Sequence, residues 1–168
     1  GRWFSQRTTH ALSTQQSKAG KSDLEVEFLA ADAPAVQQLY QSAESTEAEP
    51  LCGLQIQQNS TMEGDSQSKA STTLMAVLKP SASTENSISG TLIRDSGPQG
   101  STQSGCYTLE DEVLTIVSEN ANGKSTERMW FINDNLRMRT GMTELTDGLR
   151  IASFCSEIRL GVKPPKQS

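Results

Sequence analysis

Glu127-Arg128-Met129-Trp130-Phe131-Ile132-Asn133-Asp134-Asn135-Leu136-Arg137-Met138-Arg139-Thr140 reads as two strands rich in large apolar residues. Asn133-Asp134-Asn135 joins them, and these residue types tolerate the left-handed dihedrals of a tight turn. Side chains alternate faces along a strand, so Glu127, Met129 and Phe131 share one side of the first strand and Arg137 and Arg139 one side of the second. Pairing Ile132 with Leu136 across a three-residue loop sets Phe131 opposite Arg137 and Met129 opposite Arg139. Glu127 and both arginines then occupy one face, interleaved with Met and Phe. A register shifted by one residue would instead group the arginines with Trp130. In the first register the face is either a solvated surface carrying ion pairs or the floor of a pocket for a large, partly apolar anion.

Composition narrows the choice. A chain of 168 residues with 34% hydrophobic and 5% aromatic content predicts one domain. It is less greasy than a solid-cored sandwich of that size, so a barrel with a partly polar cavity fits better. A net charge of −5 argues against nucleic-acid binding, which needs a basic footprint, and against an anionic membrane surface. No apolar run is long enough to insert in a membrane, and no signal peptide is visible. Three widely spaced cysteines (Cys52, Cys106, Cys155) and the single His10 give no metal-ligand spacing, so no metal is expected. Free thiols and a reducing compartment are the simplest reading. The sequence opens at Gly1 rather than Met, which predicts that residues have been trimmed from its start.

The remaining segments predict an all-β chain with a minor α component. Trp3 to His10 alternates as a strand with Trp3, Ser5, Arg7 and Thr9 on one side. Asp23 to Leu29 follows, with Leu24, Val26 and Phe28 inward. Asp32-Ala33-Pro34 starts one short helix, Asp32 as its cap, with Val36, Leu39 and Tyr40 on its buried face. Ser42 to Pro50 is a polar connector. Further strands are expected over Leu51–Gln58, Ser71–Lys79, Thr91–Asp95, Cys106–Leu109, Val113–Glu119 and Leu149–Leu160. Pro80 to Gly90 and Ser96 to Gly105 read as loops, and Asn120 to Gly123 as a turn. Roughly nine short strands without a βαβ rhythm indicate an antiparallel barrel or sandwich. Residues 1–160 form the expected domain, and 161–168, with a Pro pair, a flexible tail.

Gly1-x-Trp3 at the head of a first strand resembles the lipocalin signature. There the tryptophan plugs the closed end of the barrel and a late arginine stacks on it, for which Arg159 is the candidate. If Trp3 points inward, so does Arg7. On the last strand Ser153, Cys155, Glu157 and Arg159 share a side. The inward set is then Arg7, Arg137 and Arg139 against Glu127 and Glu157, with Met129 and Phe131 lining the pocket or serving as packing. The surplus positive charge calls for an anionic ligand, because buried charges left unpaired are costly. Cys155 reads as a buried free thiol and His10 as a surface residue.

Gly1-Arg2-Trp3-Phe4-Ser5-Gln6-Arg7-Thr8-Thr9, Gly20-Lys21-Ser22-Asp23, Leu51-Cys52-Gly53, Glu127-Arg128-Met129-Trp130-Phe131, Asn135-Leu136-Arg137-Met138-Arg139-Thr140 and Ala152-Ser153-Phe154-Cys155-Ser156-Glu157-Ile158-Arg159 run in order over nearly the whole chain. Together they resemble the S-type phycobiliprotein lyases, the CpcS/CpeS family. The resemblance implies a lipocalin-like (calycin), fatty-acid-binding-protein-like β-barrel, usually preceded by an N-terminal helix that this chain is expected to lack. It also implies an enzyme that loads a linear tetrapyrrole, phycocyanobilin or a related bilin, onto a cysteine of an apo-phycobiliprotein through a thioether. By motif, Arg7, Arg137 and Arg139 would hold the bilin carboxylates, and Glu127 and Glu157 the pyrrole nitrogens. The setting implied is the phycobilisome of the cyanobacterial cytosol, or a plastid stroma. Gln58 and Gly64 stand where active members often carry tryptophan. That departure leaves open a non-catalytic bilin carrier, or a subunit of a heterodimeric lyase. Trp130, Leu136 and Met138 would face outward as an apolar patch for a homodimer or heterodimer.

Overall fold

In the computed structural model, residues 1–43, 48–95 and 102–161 are described. The sequence-based connector over Ser42 to Pro50, the loop from Ser96 and the tail after Gly161 therefore fall partly outside the described residues. The strands are β1 (Arg2–Ala11), β2 (Gln16–Ala30), β3 (Pro50–Met62), β4 (Lys69–Leu78), β5 (Ala82–Ser83), β6 (Ser87–Asp95), β7 (Gln103–Glu110), β8 (Val113–Asn120), β9 (Gly123–Asn133), β10 (Leu136–Leu145) and β11 (Arg150–Arg159). One helix, α1 (Pro34–Ser42), lies between β2 and β3.

All pairings are antiparallel. The sheet runs β4-β3-β2-β1-β11-β10-β9-β8-β7-β6-β5, and β4 pairs again with β6. That last pairing closes ten strands into a barrel and removes their free edges. β5, two residues long, is a short flap on β6 within the expected Pro80–Gly90 loop. Most strands run longer than their alternation suggested, because polar residues such as Gln16 to Ser22 and Asn59 to Met62 continue a ladder whose hydrogen bonds belong to the backbone. The β7–β8 hairpin turns on Asp111 and Glu112, both at positive φ (48° and 63°), the twist that a two-residue hairpin loop demands.

Pro34 sits in the first turn of α1, where its missing N–H is no loss. The helix is capped by Ala33 without a side-chain bond, and not by Asp32 as the sequence suggested. Val36 and Leu39 bury against Ala76, Leu78 and Ile93, with Tyr40 packed alongside. These sheet residues point away from the cavity residues Met75 and Arg94 on the same strands, so α1 lies on the outside of the barrel. Gly53 permits that approach, since a Cβ there would overlap Val36. Inside the wall, Met75, Leu92, Tyr107 and Ile116 form a second apolar cluster. The Tyr107 hydroxyl donates to the Leu78 carbonyl at 2.8 Å.

The central hairpin confirms the first register: Phe131 pairs with Arg137 and Met129 with Arg139. The turn differs. Leu136 pairs with Asn133, and a bulge between Leu136 and Arg137 restores the expected phase. On β2, Leu24 is buried beside Trp3, but Phe28 is 68% exposed. The inward position expected for Phe28 is corrected: it keeps the parity of Leu24, but β2 runs past the end of β1, which pairs only as far as Glu25, so Phe28 has no opposite wall.

Candidate functional site

The floor of the barrel is built on Trp3. Two guanidinium groups lie over its ring, Arg137 at 4.3 Å and Arg159 at 4.7 Å from the centroid, each a cation–π contact. Arg159 was expected here and Arg137 was not. Phe131 meets Trp3 edge-on at 6.1 Å between centroids.

Glu157 is the most enclosed charged residue among those described, with 0% exposure. Register explains its position: on the inner face it is paired with Ser5 of β1 on one side and Arg137 of β10 on the other. Arg137 Nε donates to Glu157 Oε2, and Arg139 Nη2 lies 3.1 Å from Glu157 Oε1. One carboxylate is thus ion-paired with two guanidinium groups, although its Oε1 is buried without a hydrogen bond. Burial works against the charge on Arg139, but Glu157, with Cys155 and Glu127, holds its pKa above the ordinary arginine range.

Above this floor lies a cavity of about 280 Å³. Arg7, Arg94, Arg139 and Glu127 supply its charge, and Met75, Leu114, Ile116 and Met129 much of its apolar wall. Of the sequence-predicted site residues, Arg7, Arg139, Glu127 and Met129 line it. Arg137, Glu157 and Phe131 do not. The first two are consumed by each other and by Trp3 in the floor. Phe131, 53% exposed, sits where β9 leaves the barrel, so the expectation that it walls the pocket is corrected.

The structure adds Arg94, which sequence reasoning missed. Its Nη2 donates to Glu127 Oε2 at 2.9 Å, while its Nε is buried without a hydrogen-bond partner. Arg7 is less satisfied still. Its Nη2 reaches only the Met62 thioether at 3.8 Å, its Nε is buried and unpartnered, and none of the ion pairs of the described residues includes it. Gly20, between Arg7 and Met62 in the register, makes room for that contact, because a Cβ there would lie 2.5 Å from the Met62 sulfur. Arg7, Arg94, Arg137 and Arg139 against Glu127 and Glu157 leave two positive charges over, one more than the sequence count.

Gln58 lines the cavity and its amide donates to Ser22 Oγ at 3.3 Å. Gly64 is remote from it, in a turn at φ +87° with nothing near its missing Cβ. Trp130, Leu136 and Met138 occupy the opposite face of the hairpin from the cavity residues Met129 and Arg139. His10 is exposed.

The three cysteines are free. Cys155 borders the cavity at 1% exposure, with Arg139 Nη2 3.9 Å from its sulfur. Burial pushes the Cys52 thiol up, which lowers its thiolate fraction. Iodoacetamide at about pH 8 is therefore expected to label the exposed Cys106 first, Cys52 slowly, and Cys155 only on unfolding. Timed quenching and peptide mass mapping check the order; early labelling of Cys155 would contradict its enclosure.

A family model described as CpeS-like protein matches residues 1–160. The chain is 39% identical over 170 residues to a protein of Thermosynechococcus vestitus named chromophore lyase CpcS/CpeS, spanning 100% of this chain and 92% of that one. It is 29% identical to the phycocyanobilin lyase subunit CpcS of Picosynechococcus sp., over 98% of this chain and 83% of the relative. Among solved structures it resembles the S-type phycobiliprotein lyase CpeS of Guillardia theta, with a TM-score of 0.80 at 21% identity. That likeness covers 97% of this chain and 89% of the other and establishes the shared fold.

Proposed function

The chain belongs to the CpeS-like protein family, and on that premise we propose that it is a chromophore lyase that binds a linear tetrapyrrole and directs its thioether attachment to a phycobiliprotein cysteine. The observation that carries the reading is Arg7: a guanidinium on the cavity wall with a buried, unpartnered Nε and, among the described residues, no carboxylate in ion-pair contact. A half-buried cation with an unmet N–H calls for an anion. A bilin brings two propionates, the kind of counter-charge that this cationic wall lacks.

Arg7 and Arg139 are the residues we assign to the propionates, where each contact can be bidentate. Glu127 is assigned to the pyrrole nitrogens. A carboxylate beside them favours the protonated bilin, the more electrophilic form. Arg137 and Glu157 act from below, fixing Arg139 and the Trp3 floor. At about 280 Å³ the cavity is near the lower limit of ordinary ligand sites, roughly 300–1,000 Å³. A four-ring tetrapyrrole overfills it, so part of the pigment stands outside, where an acceptor can reach it. The acceptor sulfur bonds to the ethylidene carbon of the A ring, the electrons of that double bond move into the conjugated system, and the thiol proton ends on the bilin. The chain contributes geometry and charge to this addition.

Phycocyanobilin is the substrate we favour, in a cyanobacterial cytosol or plastid stroma, with apo-phycobiliprotein subunits as acceptors. A second reading, a bilin carrier or the partner subunit of a two-chain lyase, is favoured by Gln58, an amide where a stacking aromatic ring would hold the pigment. Mixing the pigment-loaded chain with apo-phycobiliprotein separates the two. Covalent transfer by this chain alone supports the lyase; transfer only after a second family member is added supports the partner subunit. Glu127→Gln is expected to keep pigment binding but lose the absorbance band of the protonated bilin. An unchanged band would exclude Glu127 from that role.

A further inference from the structure

Arg94 and Glu127 belong to strands that do not touch. β7 and β8 lie between β6 and β9 in the sheet, so their 2.9 Å ion pair spans the inside of the barrel rather than linking neighbours along its wall. Both side chains border the cavity. The pair is also incomplete, because Arg94 Nε is buried without a partner, and a guanidinium with an unmet buried N–H is poorly stabilised. The acid assigned to the pyrrole nitrogens is thus already engaged, by a cation with hydrogen-bonding capacity to spare.

We propose that Arg94 is a further carboxylate-binding residue, and that the Arg94–Glu127 pair opens when ligand enters. Arg94 turns its fork to one of the two propionates, sharing it with Arg7 or Arg139, and Glu127 is released to the protonated pyrrole nitrogens. This rests on the tetrapyrrole reading above. The exchange conserves pairing. One ion pair inside the protein becomes two between protein and ligand, so neither Arg94 nor Glu127 is left without a partner. A ligand with only carboxylates would strand Glu127, and one with only N–H donors would strand Arg94. The site therefore selects molecules that present both within the span of the pair. Because Arg94 gives up Glu127 as it gains the propionate, its net contribution to affinity is smaller than that of Arg7, which gives up only a thioether.

The test is an absorbance titration of phycocyanobilin diacid and its dimethyl ester against the wild-type chain, Arg94→Gln and Arg94→Lys. The wild type is expected to prefer the diacid. Arg94→Gln should reduce that preference about tenfold by weakening the diacid alone. Arg94→Lys, which keeps the charge but not the planar fork, should fall between. Equal weakening of diacid and ester overturns the proposal, since Arg94 would then serve only to hold Glu127 or the fold. An unweakened diacid overturns it as well. If Arg94→Gln does not fold by circular dichroism, Arg94→Lys decides, and an unchanged diacid-to-ester ratio counts against the exchange. A wild-type chain that binds neither pigment defeats the tetrapyrrole reading itself, an outcome distinct from a wild type that binds while the Arg94 variants behave like it.

Discussion

Glu157→Ala is expected to lower the unfolding free energy by about 3–5 kcal/mol, the range for breaking a buried ion pair from one side. The carboxylate has no solvent exposure and neutralises both Arg137 and Arg139. Without it, two guanidinium groups lie side by side on β10 without their shared carboxylate, next to a floor that also holds Arg159 against Trp3. A typical domain of this size has only about 5–15 kcal/mol in total, so the loss should be visible as a large drop in urea midpoint with the slope unchanged. Glu157→Gln keeps the shape and one acceptor oxygen and should lose less. A midpoint within experimental error of the wild type for Glu157→Ala would mean that water already screens the two arginines.

Arg7→Ala should do the reverse, leaving the fold nearly untouched and damaging pigment binding. Among the described residues Arg7 is in no ion pair, and its one side-chain hydrogen bond is to the Met62 thioether. Removing it breaks no ion pair, and the urea midpoint is expected to stay level or rise slightly. A charge-assisted contact to a propionate is worth about 1.5–3 kcal/mol. Phycocyanobilin affinity should therefore fall about 10- to 100-fold. The contrast with Glu157 is the informative part. One residue is occupied by the fold and the other is held open, although the same alternation argument picked out both. Equal effects of the two variants on stability would show that Arg7 has a partner in the folded chain.

How far the sequence reached depends on what alternation can report. Parity along β1, β10 and β11 placed Trp3, Arg7, Arg137, Arg139 and Glu157 on the inner face, and the structure agrees. Parity says nothing of depth. Arg137 and Arg139 are two residues apart on one face, yet the first is sealed in the floor and the second borders the cavity. Only the pairing of β10 with β11, which sets Arg137 beside Glu157, separates them. Phe131 and Phe28 fail for the related reason that a strand can leave the barrel while its pattern continues. Arg94 was illegible because β6 is covered on both sides. Leu92 points into the barrel and Ile93 toward α1, and both are buried. The run Leu92-Ile93-Arg94 therefore shows no alternation, and nothing in it marks the arginine as facing inward. A long-range contact, the chord from β6 to β9, was needed to find it.

The most direct check is the absorbance of phycocyanobilin titrated into the wild-type chain at neutral pH. A bilin held extended and protonated among Arg7, Arg139 and Glu127 should give a red-shifted, intensified band that saturates with added pigment and is weakened in Arg7→Ala. A spectrum that stays that of the free pigment at every ratio would contradict a bilin site in this barrel.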